Sequence, residues 1–364
     1  MTRTQLFPVG TRRAAVLTTV VTVLAALAGP ALASAVVSAP ASASASAPAG
    51  PTAAAQTARR MYVAVSVATV WTDPGKVRPV DRPALTNPAH PAQWLAAMTP
   101  AQSGDLSTSN RTQTQALYGA PVLVLAQKGA WSQVAVPRQP TPRNALGYPG
   151  WIPTVQLTRS PAYDARRNDR FALVDRGRTT GLFADRGLTE RELLLSTNTR
   201  LPLLRRTPRA LLVATPDRGP AWLPARRASV YRSDAAIPRP TGAGLVRTAK
   251  AFLRQPYLWG GRSGFGLDCS GLTGTVYQTH GITIPRDSGP QAQDPRARRV
   301  AKADLRPGDL LFYSRSTDAD DIYHVAMYVG RGQMIEAYDH LTPVRVTAAR
   351  LGANYWGAVR YLPG

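Results

Sequence analysis

Between residues 61 and 159 the apolar positions fall in short runs broken by turn residues, a pattern that predicts strands. Tyr62-Val-Ala-Val-Ser-Val-Ala-Thr-Val70 is β-rich, and residues 117–126 and Trp131-Ser-Gln-Val-Ala-Val136 read as further strands with Gly129 turning between them. Trp151-Ile-Pro153 closes the unit after Gly147-Tyr-Pro-Gly150, and one short helix is expected over residues 91–98 as an insertion. Residues 171–231 repeat the plan with Phe171-Ala-Leu-Val174, residues 199–204, residues 210–214 and a terminal Trp222-Leu-Pro224. The endings Trp151-Ile-Pro153 and Trp222-Leu-Pro224 read as corresponding strands of two copies. Two small β-barrels in tandem are therefore expected, over residues 59–160 and 168–235.

Pro238-Arg-Pro-Thr-Gly242 ends this β region. Residues 245–253 have helical spacing, with Leu245, Ala249 and Phe252 on one side. Leu272, Val276 and Tyr277 mark a second helix, and Tyr323-His-Val-Ala-Met-Tyr-Val329 alternates as a strand. Residues 243–364 thus form a helix-then-sheet unit large enough for its own core, and the fold class is α+β. At the other end, Arg3, Arg12 and Arg13 precede an apolar stretch over residues 14–28 and a small-x-small site at Ala31-Leu32-Ala33. This is the pattern of an export signal over residues 1–33, so the expectation is a secreted or wall-associated protein without stable membrane attachment once the signal is cleaved. Residues 34–58, Ala/Ser/Pro/Gly-rich and uncharged, read as linker.

Composition sharpens the picture in two ways. The formal charge is +23 with Lys only at 76, 128, 250 and 302, so the positive charge is nearly all arginine, and it is spread along the chain. A nucleic-acid binder concentrates such charge in one stripe; dispersed charge on an exported protein suits an anionic polymer or wall surface, and nucleic acid is not expected as a partner. There is one cysteine, so no intramolecular disulfide can form.

That residue, Cys269, follows Gly260, Gly261, Gly264 and Gly266 and opens the helix marked by Leu272, Val276 and Tyr277, with Asp268 placed as its N-cap. A thiol at a helix N-terminus faces free backbone N–H groups and the positive end of the dipole, which favours thiolate and is expected to lower its pKa from about 8.5. A thiol nucleophile needs a base and a third group to orient that base. Of the four histidines, His90 lies among prolines, His280 at a helix end and His340 at a strand end; His324 opens the alternating strand and shares a face with Ala326 and Tyr328. A three-residue loop at Gly330-Arg-Gly332 would pair Ala326 with Glu336 and set Glu336 diagonally beside His324; a two-residue loop would put it on the opposite face. Four scattered histidines and no second cysteine give no metal site, and no phosphate-binding or dinucleotide loop is present, so no cofactor is expected.

Tyr257-x-Trp-Gly-Gly, Leu267-Asp-Cys-Ser-Gly-Leu272, Ile284-Pro-Arg-Asp-Ser288 with Gln291, Pro307-Gly-Asp-Leu-Leu-Phe312 and His324-Val-Ala-Met-Tyr-Val-Gly330 resemble the NlpC/P60 cysteine peptidases. The resemblance implies a compact papain-like catalytic domain that cleaves peptidoglycan stem peptides, with Cys269 as nucleophile, His324 as base and Glu336 in the third position, where many members carry His. Ala68-Thr-Val-Trp-Thr72, Thr114-Gln-Ala-Leu-Tyr-Gly119 and Gly147-Tyr-Pro-Gly-Trp151 resemble the bacterial SH3-like domains of γ-D-glutamyl-L-diamino acid endopeptidases of the dipeptidyl-peptidase VI type. By that resemblance the substrate is a muropeptide with free N-terminal L-Ala. Asp268 would receive its ammonium, Ser270 and Ser288 would line the site, Tyr257 would sit beside the thiolate, and Tyr118 would wall off longer ligands. A monomer acting without a cofactor is implied. Competing readings are a D,L-endopeptidase that remodels intact wall, a catalytically silent wall-binding protein, and an acyltransferase using the same nucleophile.

Overall fold

The computed structural model describes residues 59–363, and the expected export signal and linker lie outside them. Two seven-stranded antiparallel sheets come first. One holds β1 (Arg59–Val63), β2 (Val67–Trp71), β3 (Thr112–Leu117), β4 (Pro121–Lys128), β5 (Trp131–Val136), β6 (Tyr148–Pro153) and β7 (Leu157–Thr158). The other holds β8 (Phe171–Val174), β9 (Thr179–Phe183), β10 (Arg191–Ser196), β11 (Arg200–Arg206), β12 (Ala210–Val213), β13 (Ala221–Pro224) and β14 (Ala228–Tyr231). Their orders are β3-β2-β6-β5-β4-β1-β7 and β10-β9-β13-β12-β11-β8-β14, the same sequence of strands advanced by seven. Trp151-Ile-Pro153 in β6 and Trp222-Leu-Pro224 in β13 hold corresponding places.

Departures from the sequence pattern have local causes. The run from Tyr62 to Val70 is not one strand: β1 pairs with β4 and β7, whereas β2 pairs with β3 and β6, so the chain must break between them to change partners. Every residue of the run is buried, which leaves no alternation to mark the break. The insertion after β2 contains two substantial helices, Pro91–Ala97 and Pro100–Thr108. The second carries its start signal in the sequence: Thr99 caps it, Pro100 fills the first turn, and Gln102 closes a capping box. Fully buried Trp94 donates its indole N–H to Asp81 at 2.9 Å and packs with Trp71, Leu106 and Leu258, joining the insertion to the C-terminal unit.

That unit begins with the helix Gly242–Lys250, then the short hairpin β15 (Arg262–Ser263) and β16 (Gly266–Leu267), then the helices Cys269–Thr279 and Ser288–Gln293. Six strands follow: β17 (Arg298–Val300), β18 (Leu310–Ser314), β19 (Ile322–Gly330), β20 (Gln333–Glu336), β21 (Arg345–Ala348) and β22 (Tyr355–Arg360). They form one antiparallel sheet in the order β17-β22-β18-β19-β20-β21. Leu245, Ala249, Leu272, Val276 and Tyr277 from the helices bury against Leu310, Phe312, Val325 and Met327 on one sheet face. Each large side chain so buried contributes about 1.5–3 kcal/mol relative to exposure. Leu311, Tyr313, Ala326, Met334 and Ala358 form a second cluster.

The β19–β20 turn differs from the expected three-residue loop. Only Arg331 and Gly332 lie between the strands, both at positive φ (52° and 68°), as two-residue hairpin turns require. A register shift between Tyr328 and Gly330 inserts the extra residue within β19 instead. Met327 pairs with Ile335 and Tyr328 with Met334, so the pairing that brings Glu336 onto the His324 face is obtained by a bulge.

Candidate active site

The helix Cys269–Thr279 starts where the glycine-rich approach ends. Asp268 caps it, its Oδ1 accepting from the Gly271 N–H at 2.6 Å. A Cβ at Gly271 would lie 1.9 Å from the Gly261 carbonyl oxygen, so the approach loop presses on the first turn as only glycine allows. Cys269, the first helical residue, is 7% exposed, and the backbone N–H groups of Val325 and Ser270 lie near enough to its sulfur to favour its ionised form. Val325 follows His324 in the chain, so the thiol sits beside the peptide that carries the imidazole.

His324, 3% exposed, lies between the rings of Tyr313 and Tyr338, with centroids 5.6 and 5.4 Å away. Its Nε2 is 2.9 Å from Oε2 of Glu336. Glu336 is completely buried and also accepts from Arg345 (Nη2, 3.1 Å) and Arg350 (Nη1, 3.0 Å; Nη2, 2.7 Å). Burial alone would raise its pKa, but hydrogen bonds from His324 and Arg350 prevail and hold it at about 2. Glu336 is therefore an acceptor only, and Nε2 must carry the proton that bridges them. Neutral His324 then keeps its lone pair on Nδ1. Burial lowers the pKa of His324, opposed by the Glu336 hydrogen bond and charge.

The expected low thiol pKa is not what the site shows. Burial, followed by the Asp268 charge, pushes Cys269 up to about 12, and the N–H groups of Val325 and Ser270 recover only part of that. The helix terminus is as expected, but desolvation and a neighbouring anion outweigh its dipole. At neutral pH the resting pair is thus neutral thiol and neutral imidazole.

Asp268 is also differently employed. Its carboxylate accepts from Gly260 N (2.9 Å), Gly271 N, Ser270 Oγ (3.2 Å) and Arg286 Nη1 and Nη2 (3.1 and 2.6 Å), a full complement of donors. Arg286, 1% exposed, further donates to Ser270 Oγ (2.9 Å) and, through Nε, to Thr114 Oγ1 (2.8 Å). Asp268 and Ser270 therefore anchor the helix start to the first sheet through Arg286. Ser288 opens the Ser288–Gln293 helix, its hydroxyl 3.4 Å from the Ile322 carbonyl. Tyr257 packs at the thiol; burial raises its pKa first, and the Cys269 charge adds to this.

Tyr118 does not stand at the thiol. It has no exposed surface, lies in the core of the second sheet with Tyr62 and Tyr163, and bonds Asp217 through its hydroxyl. The tyrosine that the first sheet does present to the catalytic unit is Tyr148, whose hydroxyl donates to the Asp287 carboxylate at 2.8 Å. Arg286, Asp287 and Tyr148 stand inside motifs of the sequence but carried no expected role, and Arg345 and Arg350 were not singled out. A signal existed for Arg345: β20 pairs with β21 to set Glu336 directly opposite it, an opposite-charge cross-strand pair. The others are joined only by tertiary contact.

A thiol at a helix tip, packed against a sheet that supplies an imidazole fixed by a carboxylate, defines a cysteine peptidase of the papain-like kind. The chain belongs to the NlpC/P60 family: that family's model matches residues 254–360, and the model of the YKFC SH3b2 domain matches residues 177–231. It is 42% identical over 307 residues to a gamma-D-glutamyl-L-lysine dipeptidyl-peptidase of Bacillus cereus, covering 84% of this chain and 91% of the relative. It is 36% identical over 282 residues to the Bacillus subtilis protein of the same name, covering 76% and 90%. A crystal structure of an NlpC/P60 family protein from Bacillus cereus ATCC 10987 superposes with a TM-score of 0.79 at 42% identity, covering 84% of this chain and all of that one.

Proposed function

We propose that this protein hydrolyses the γ-D-Glu–L-diamino acid bond of peptidoglycan-derived peptides carrying a free N-terminal L-Ala. The observation that carries the reading is Cys269 at the first turn of its helix, next to the Val325 peptide that follows His324, whose Nε2 is held by ionised Glu336. The names and extent of the Bacillus relatives support the substrate class. Because both groups rest neutral, substrate entry and attack are coupled to proton transfer: Nδ1 of His324 takes the Cys269 proton as the sulfur bonds the γ-carbonyl carbon. The backbone N–H of Cys269 stabilises the oxyanion. The imidazolium then protonates the leaving amine of the diamino acid, and neutral His324 activates the water that frees the acyl group.

The substrate ammonium is received by Asp287 rather than Asp268. Asp287 is a partly buried carboxylate whose side-chain partner is Tyr148, and Tyr148 closes that end of the site from the first sheet. The two like-ordered sheets are two SH3-like modules, which is how a first-sheet residue comes to select chain ends. The export pattern of residues 1–33 supports a location outside the membrane, checked by finding the processed chain in culture medium or wall fractions.

Incubation with L-Ala-γ-D-Glu-L-Lys should release L-Ala-γ-D-Glu and lysine, read by mass spectrometry, while N-acetylated tripeptide and intact sacculi are cut far more slowly. Cys269→Ala should abolish release while keeping the melting temperature. Equal rates on free and blocked peptide would refute the end-selection reading; hydrolysis by Cys269→Ala would refute the thiol mechanism.

A further inference from the structure

A cavity of about 550 Å³, distinct from the thiol site, is lined by both sheets and by the hairpin and helix of the catalytic unit. Its walls hold seven arginines against two aspartates. Three of those arginines, Arg138, Arg200 and Arg262, keep buried N–H groups with no partner among the described residues: Nε of Arg138, Nε and Nη2 of Arg200, and Nη1 of Arg262. The side-chain amide of Gln115 is likewise unpartnered in the same wall. Arg262 and Gln115 are only 4% and 1% exposed. Asp234 meets Arg138 at 2.8 Å and also binds Arg200, leaving Arg262 with no carboxylate partner among the described residues.

Buried donors left unmatched are costly and normally signal a missing partner. Here every orphan in the cavity wall is a donor, and most belong to cations, so the missing partner is an acceptor with negative charge. Burial pushes Arg262 down to about 9, and burial together with the Arg138 charge does the same to Arg200, the mark of cations held without compensation. The first 58 residues contain no Asp or Glu, so that segment brings no side-chain anion to the cavity.

We infer that this cavity binds a phosphate group carried on a small organic ligand, with Arg138, Arg200, Arg262 and Gln115 as its donors. A phosphate offers acceptors in several directions and a charge near −2, which matches donors arriving from three structural units better than a planar carboxylate does. The volume suits a ligand of metabolite size, and the ring of Phe171, under the Arg200 guanidinium at 4.9 Å, gives it an apolar wall.

Isothermal titration of the full chain in 0.15 M chloride tests this, with inorganic phosphate, glycerol 3-phosphate and the diester glycerophosphoglycerol as probes. Saturable one-to-one binding of glycerol 3-phosphate, displaced by inorganic phosphate and weakened about tenfold or more in Arg200→Met, is expected from losing one charge-assisted contact. Arg138→Gln, at a half-exposed position, should weaken binding in the same direction and covers the event that Arg200→Met does not fold. Diester binding equal to the monoester would identify a polyol-phosphate polymer as the source, and monoester binding alone a phosphorylated metabolite. Absence of saturable binding by all three probes, or affinities unchanged in both variants, would overturn the inference. Neither arginine touches the thiol site, so peptide hydrolysis by both variants should stay within about twofold of the parent, a readout independent of the binding result.

Discussion

Replacing Glu336 by Gln isolates the group that fixes His324. The amide has nearly the same shape but only one acceptor oxygen: with that oxygen on His324 and Arg350 Nη2, its NH2 faces the Arg345 and Arg350 N–H groups now bound to Oε1, which also only donate. The lowered pKa, from 4.5 to about 2, corresponds to about 3 kcal/mol of native stability at neutral pH. The sign follows from the depressed folded-state value: this contribution is complete above pH 4.5 and disappears as pH falls toward 2. Glu336→Gln should therefore melt several degrees lower at pH 7, with the difference closing in acid. Arg345 and Arg350, 42% and 37% exposed, can turn to water, which moderates the loss.

Catalysis should fall separately. A hydrogen bond to a charged partner is worth about 1.5–3 kcal/mol, so kcat/KM on the tripeptide should drop roughly 10- to 100-fold. The pH profile carries the decisive sign. Since Glu336 raises the pKa of His324 against burial, its neutralisation should move the acid limb of kcat/KM to lower pH. Arg350 acts oppositely, lowering the His324 pKa by its charge, so Arg350→Met should move the same limb upward. Limbs that move in the same direction, or a Glu336→Gln enzyme within twofold of the parent, would refute the assignment of Glu336 as the positioning residue.

In the parent enzyme the acid limb should lie below 6.5, because burial lowers His324 and it must be neutral to act as base; a limb above 7 would contradict this. Arg286→Met leaves the Asp268 carboxylate buried without its cation and should cost about 3–5 kcal/mol in denaturant titrations. Tyr148→Phe removes the hydrogen bond to Asp287 and should raise KM about 2- to 10-fold with kcat little changed, whereas Tyr118→Phe should alter stability but not kinetics. The reverse pattern would restore Tyr118 as the residue at the substrate end.

The chemistry-bearing residues were legible because each sits at a local signal. Cys269 follows a cap residue and opens a helical repeat, and His324 opens an alternating strand. Parity of side chains along β19 and β20 was enough to bring Glu336 to His324, although a bulge rather than the turn supplies the odd residue. Local sequence also set the strand repeats, since Trp151-Ile-Pro153 and Trp222-Leu-Pro224 fall in matching strands.

Burial and partnership were decided only by the fold. A helix terminus can be read from spacing, but the thiol's pKa depends on how much water and which charges surround it, and here burial and Asp268 reverse the expected shift. Asp268 was placed correctly in the helix cap yet is consumed by Arg286, eighteen residues on, and Tyr118 was drawn into another sheet's core through Asp217, ninety-nine residues away. Periodicity reports which face a side chain takes on its own element. What meets that face is settled by packing between elements distant in the chain, and so Tyr148 meets the catalytic unit while Tyr118 is buried in the second sheet's core.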